Sequence, residues 1–190
     1  MRKSKAEAAE TRQQIIDVAA HEFRLNGIHE TGLVGLMAKA GLTHGGFYCH
    51  FESKKQLVSE ACSAALGGLV DRFESAARRG DGKGSFKAIV DGYVSVTHRD
   101  DRAGGCPLAG LGSELARADV ETRAAASVGF HNLVDIIAES MGKRQLKADR
   151  SQAVFAMAAM VGAVTLSRIM ADPEISKSIL GDVQHHLAGM

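Results

Sequence analysis

The chain has no tryptophan, two prolines and two tyrosines in 190 residues, and aromatics make up only 5%. So few prolines leave long helices uninterrupted, which suits an all-α chain. The three cysteines, Cys49, Cys62 and Cys106, have neither the paired spacing of a disulfide framework nor that of a zinc site, and point to a reducing cytoplasm. A continuous apolar run of about 18 residues is missing, so no membrane span is expected. Met1 to Glu10 is charged, so no signal peptide is expected either. Internal repeats, low-complexity tracts, Gly-rich phosphate loops and metal-ligand constellations are absent, which argues against an enzyme, a bound metal or a cofactor. Charge of one sign is scarce as well. Lys and Arg number 23 against 22 Asp and Glu, a net charge of +1. Within Met1 to Glu60 the ratio is eight to seven. Bulk charge therefore does not announce a nucleic-acid partner, and only the placement of the charges can.

What is present is ordinary for a soluble domain: 45% hydrophobic and 24% charged residues. The length suits one domain, or a small domain fused to a larger one. The most informative stretch is Thr31 to Phe51. Leu33, Leu36, Met37 and Ala40 fall at i, i+3, i+4 and i+7, the apolar face of a short helix. Gly41 supplies its stop, Leu42 packs into the corner, and Thr43 is placed to cap a second helix over His44 to His50. Phe47 and Phe51 anchor that helix, leaving Thr43, His44, Gly45, Tyr48 and His50 to point outward or sideways. Gly45 and Gly46 each cost roughly 1 kcal/mol against Ala in a helix, acceptable where a phosphate must approach the backbone. The pattern is a helix-turn-helix. On residue chemistry alone, DNA binding and an ordinary helical corner fit it equally well.

Thr11-Arg12, Ile15, Ala19, Phe23, Gly27, Thr31, Ala40-Gly41-Leu42-Thr43, Gly45, Phe47-Tyr48, His50-Phe51, Ser53-Lys54 and Leu57 form a gapless pattern. It resembles the N-terminal domain of the TetR/AcrR family of transcriptional regulators. Two glycines depart from the family's habit: Gly32 stands where Ser or Thr is usual, and Gly35 where a polar residue is often found. The resemblance implies a three-helix DNA-binding domain over residues 1–57 and a helical effector-binding and dimerisation domain over 58–190. It also implies a homodimeric repressor on an inverted-repeat operator in double-stranded DNA, released by a small-molecule effector, and phosphate binding by Lys54.

The rest of the chain reads as helices. The first runs from about Lys5 to Asn26 and is closed by Gly27. Thr31 is expected to cap the second, its hydroxyl or amide near a phosphate if DNA binds. Ser53-Lys54-Lys55-Gln56 is a capping box for the next helix, which continues to Arg79. Arg2, Lys3 and Lys5 form a basic arm, and Lys39, Lys54 and Lys55 flank the reading helix as candidate phosphate clamps. Gly80 to Gly84 is a connector, after which a helix from about Ser85 carries Phe86, Ile89, Val90, Tyr93, Val94 and Thr97. His98 to Gly105 reads as a polar loop.

Pro107 fits the first turn of a helix, which puts Cys106 at its N-cap. The helix dipole there lowers a thiol's pKa, with help from Arg102 if the loop folds back. Two readings stay open: an electrophile or redox sensor (with a thiol-dependent enzyme as its rival form), or a small buried cap. Amphipathic helices follow over Val120 to Gly142 and Arg150 to Ala171, the second so apolar that it reads as an intersubunit four-helix bundle or, alternatively, an intrachain core. Asp172-Pro173 opens the last helix. His185-His186 are adjacent and splayed about 100° apart, a poor chelate. An effector pocket is expected among Phe86, Tyr93, Leu111, Phe130 and Met160. Thr43, His44, Gly45 and Tyr48 are expected in the major groove, with His44 reading bases and His50 supporting the phosphate side. A helical adaptor whose helix-turn-helix contacts protein is the remaining alternative.

Overall fold

The computed structural model describes residues 4–80, 84–142 and 147–190, and these fold as helices without a strand. In order they are α1 (Lys5–Asn26), α2 (Leu33–Lys39), a 3-10 helix (His44–Cys49), α3 (Lys54–Arg79) and α4 (Gly84–Tyr93). Next come α5 (Val96–Asp100), α6 (Pro107–Leu115), α7 (Val120–Ser140), α8 (Lys147–Ile169) and α9 (Pro173–Ala188). The basic residues Arg2 and Lys3, and Asp81 to Lys83 of the expected connector, lie outside the described residues.

The ends of these helices follow local chemistry. Ser4 opens α1 with a complete capping box to Glu7. Gly27, at φ 90°, closes α1 and donates its N–H to Phe23 O at 2.8 Å. Asp119 and Asp172 cap α7 and α9 with their carboxylates, and Pro173 follows Asp172 in the first turn. Ser53 caps α3 through the Gln56 N–H at 3.2 Å. The Gln56 side chain accepts from Glu52 N at 2.8 Å, one residue earlier than a capping box requires.

The helix expected from about Ser85 to Thr97 is broken in two. Ser95 accepts the His98 N–H at 3.1 Å and starts α5, so His98, Arg99 and Asp100 are helical rather than part of a polar loop. A side-chain oxygen that offers the backbone an alternative partner restarts the helix at a new angle.

A single core runs through the molecule. α3 is its spine, packing along α7 and against α1 and α4, with Leu57, Leu66, Leu69 and Phe73 buried. Gly129 on α7 makes the contact with α3 possible, because a Cβ there would fall 2.6 Å from Leu66 Cδ1. α8 lies against α7 and α9 with Ala153, Ala156, Met157, Met160 and Val164 buried. Its stretch Arg150–Ile169 is long and apolar enough to cross a membrane by length and composition alone, a stretch the sequence was not expected to contain. Here one side of it forms core. The other exposes Val154, Phe155, Leu166 and Ile169 to solvent.

Candidate nucleic-acid interface and effector cavity

The turn between α2 and the 3-10 helix is built by one glycine. Gly41 has φ 69°, its N–H donates to Ala38 O at 3.0 Å, and the Leu42 N–H reaches back to Met37 O at 2.9 Å. These two bonds are the paired pattern that ends a helix on a left-handed residue. The following helix differs from expectation. It is 3-10 over His44–Cys49, consistent with two adjacent glycines that stabilise a regular α-helix poorly. Thr43 occupies its N-cap but makes no side-chain capping bond.

Phe47 is fully buried and stacks on buried Phe51 at 5.5 Å. Burying a Phe of this size contributes about 2–3 kcal/mol, enough to fix which way the helix faces. Thr43, His44, Gly45 and Tyr48 are consequently exposed on one side, with Tyr48 edge-on to His44 at 6.0 Å. A Cβ at Gly45 would meet nothing within 4 Å, so the backbone is open to close approach there. His50 is half-buried behind this face.

Arg12 of α1 holds the far end of the 3-10 helix. Its Nε donates to His50 O at 3.3 Å and its two Nη atoms meet the Glu60 carboxylate at 2.6 and 2.5 Å. Its guanidinium lies 4.5 Å from the Phe51 ring centroid. That clamp joins partners 38 and 48 residues away, which no local pattern reveals.

Three expected phosphate contacts are already engaged inside the protein. Thr31 is buried one residue before the N-cap Gly32, and its hydroxyl donates to Gly27 O at 2.6 Å. It therefore does not cap α2, because the loop folds it inward to satisfy the end of α1. Lys39 pairs with buried Glu22 at 2.6 Å, and this bond is the main cause holding the Glu22 carboxyl below the ordinary range. Lys54 donates to Ile28 O at 2.6 Å, and partial burial lowers its pKa.

The helix-turn-helix is tied to the rest of the molecule through the same loop. Glu114 of α6 accepts the Ile28 N–H at 3.0 Å and the His29 N–H at 2.9 Å, one on each carboxylate oxygen. Arg24 of α1 donates to Gly105 O at 3.1 Å and Gly104 O at 3.4 Å. Neither residue stood out in the sequence, since their partners lie 80 or more residues away.

Between α3, α4 and α5 lies a cavity of about 520 Å3. Leu69, Phe73, Ala76 and Ile89 supply apolar wall, and Arg72 and His98 polar edge. Of the five residues expected to surround an effector, Tyr93 alone lines it. Phe86 and Met160 are spent in the core, Leu111 borders a void of about 10 Å3 beneath α1, and Phe130 is half-buried on α7. Helical periodicity gave the apolar face of each, but not which neighbour would fill the space in front of it.

Cys106 is at the N-cap of α6 with Pro107 next, as expected. Its reactivity goes the other way. The residue is 1% exposed, and burial raises the thiol pKa despite contacts from Tyr93 and the α6 backbone that favour the thiolate. Desolvation outweighs the helix dipole because the thiolate would lose water on every side. Arg102 does not fold onto the thiol but donates to Leu25 O at 3.4 Å, and it is Arg168 whose charge acts on Cys106. The Cys106 N–H donates to His98 Nε2 at 2.9 Å, and His98 Nδ1 contacts Tyr93 O at 2.6 Å. This pair of bonds fixes His98 as the neutral tautomer protonated on Nδ1. The Tyr93 hydroxyl is buried beside the thiol with no nitrogen or oxygen partner among the described residues, and burial holds its pKa well above the ordinary value.

Residues 15–61 match the model of bacterial regulatory proteins of the tetR family. Residues 84–178 match that of the C-terminal domain of LmrA/YxaF-like transcriptional regulators. Among curated proteins, the chain is 48% identical over 59 residues to the HTH-type transcriptional regulator AcrR of Shigella flexneri, covering 31% of this chain and 27% of that protein. It is 43% identical over 58 residues to TtgR of Pseudomonas putida, covering 30% and 28%. The match thus spans little more than a quarter of these relatives. Among solved structures, a TetR transcriptional regulator from Chloroflexus aurantiacus superposes with a TM-score of 0.80 at 28% identity, over 97% of this chain and 95% of that one. The reduced form of E. coli NemR superposes at 0.82 and 17% identity, over 95% and 96%, a likeness of fold.

Proposed function

Since the chain belongs to the TetR family of bacterial transcriptional regulators, we propose that it is a cytoplasmic, homodimeric repressor that binds an inverted-repeat operator and is released by a small molecule. The observation that carries this reading is the 3-10 helix, anchored by Phe47 and Phe51 and presenting Thr43, His44, Gly45 and Tyr48 together. His44 reads a base edge, Gly45 admits the DNA backbone, and Tyr48 and His50 serve the phosphate side. Lys54 keeps two ammonium donors beyond the one given to Ile28 O, so it contributes to a phosphate without leaving its place. Thr31 contributes through position rather than its hydroxyl.

The reading head spans residues 1–57 and the effector and dimerisation body 58–190, with α3 crossing the boundary unbroken. Phe155, Leu166 and Ile169 on α8 and Ile175 on α9 expose an apolar surface that a second copy covers. Two subunits joined there place two reading heads on one duplex. The effector occupies the cavity of about 520 Å3. With Cys106 buried and its thiol neutral, the cysteine serves as a packed cap in this reading.

Selection of random duplexes by the purified protein at two salt concentrations tests the proposal. One enriched inverted repeat is expected. His44→Ala should change which bases are preferred, whereas Lys54→Ala should weaken all duplexes alike and flatten the salt slope. Binding that lacks any preferred sequence and vanishes as salt rises would overturn it in favour of a protein-contacting adaptor.

A further inference from the structure

Arginines gather where α1, the segment after α5 and the end of α8 meet, and few carboxylates accompany them. A cavity of about 640 Å3 at this junction is lined by Arg24, Arg99, Arg102 and Arg168, with Asp100 as its one acid among the described residues. Asp100 is already taken, accepting from Arg99 Nε at 2.8 Å and Nη2 at 3.2 Å. The other three arginines donate to backbone carbonyls. Arg24 bonds Ala20 O at 2.8 Å besides Gly104 and Gly105, and Arg168 bonds Arg99 O at 2.8 Å and His98 O at 2.9 Å. Arg102 makes the single long bond to Leu25 O.

Carbonyls orient guanidinium groups but do not neutralise them. Each guanidinium has five N–H donors, and these bonds leave several of them over. The charges also oppose one another: Arg72 acts against Arg24, and Arg102 against Arg168. Asp101 is the nearby acid that offsets both, and its carboxylate is committed to the Gly104 N–H at 2.8 Å. Partial burial adds a desolvation cost to Arg24 and Arg168.

We propose that this cleft is an anion site for a phosphorylated small molecule. The planar guanidinium fork matches the oxygens of a phosphate, and several forks facing one space suit a group carrying two negative charges. The cavity is much larger than a phosphate, and Met170, Ala171 and Pro173 give it an apolar wall for the carbon part of an ester. It shares no lining residue with the cavity of about 520 Å3. Arg24 belongs to α1 of the reading head while Arg99, Arg102 and Arg168 belong to the body. An anion held among them ties the two together, so this site is a second input to the head, separate from the apolar cavity.

Calorimetric titration of the full chain with inorganic pyrophosphate, sodium chloride holding ionic strength constant, tests this. Saturable binding at one site per subunit is expected, weakened at least about tenfold by Arg102→Gln and by Arg168→Gln. Lys87→Gln, on exposed α4 surface away from the cleft, should leave it unchanged. Arg168 supports the loop through its carbonyl bonds, so exposed Arg102 keeps the test decisive if Arg168→Gln unfolds. Absence of saturable heat, binding indifferent to Arg102→Gln, or loss on Lys87→Gln would each overturn the assignment, the last by reducing the binding to general surface charge.

Discussion

Replacing Glu114 of α6 by Ala should loosen the reading head from the body without changing a residue of the head. The carboxylate accepts the Ile28 and His29 amides at 3.0 and 2.9 Å across 86 and 85 residues of sequence. Hydrogen bonds to a charged group contribute about 1.5–3 kcal/mol each. The His29 end is exposed and water replaces the lost acceptor there, whereas the Ile28 amide is part-buried and less readily served. With the exposed bond contributing little, the pair is worth about 2 kcal/mol, close to the value of one such bond. For a chain of this size that lowers Tm by roughly 4–8 °C. Glu114→Gln keeps one acceptor oxygen and should recover about half of the loss. Urea unfolding of the three proteins, followed by circular dichroism, reads the difference as a shift in midpoint at constant slope. Operator binding measured with and without effector reads the second consequence, a weaker effector response with affinity of the free protein little changed. An unfolding free energy within about 0.5 kcal/mol of wild type, together with an unaltered response, would refute the bridge.

Gly129→Ala should destabilise by about 1–3 kcal/mol, seen in the same unfolding assay, because its Cβ meets Leu66 at 2.6–2.9 Å. Dithionitrobenzoate should label one thiol of the native protein quickly, exposed Cys49, while Cys62 (its pKa raised to about 11 by burial) and Cys106 react only on unfolding. Rapid labelling of a second thiol would contradict the buried cap. His98 is held below its ordinary pKa, mainly by burial, so it stays neutral in the fold while the unfolded chain takes up a proton near pH 6.5. Its contribution is full above that pH and falls as pH drops from there toward the folded pKa. Between pH 7 and 5.5 the wild type should lose more stability than His98→Gln, and parallel losses would show that the Cys106 amide contact is not linked to protonation.

Sequence reasoning reached whatever is decided within a few residues of chain. The ends of α1, α2, α3, α6 and α9 were legible from Gly27, Gly41, Ser53, Pro107 and Asp172, because caps and left-handed glycines act over one turn. The outward face of the reading helix followed from Phe47 and Phe51 for the same reason, although the paired glycines made it 3-10. The break at Ser95 was missed, since a serine inside an apolar period gives no sign of whether its hydroxyl will accept a later amide.

What tertiary structure alone decided concerns groups whose partners arrive from far away. Thr31 and Lys54 carry the chemistry of phosphate ligands, and both turn to carbonyls of the loop that follows α1. The pKa of Cys106 depends on how much water the surrounding helices exclude, a quantity that no spacing of residues encodes. The arginine cleft joins residues 24, 99, 102 and 168, which no local pattern in the chain brings together. Periodicity fixes which way a side chain leaves its own helix. Which charges and surfaces it then meets is set by the packing of the helices against one another.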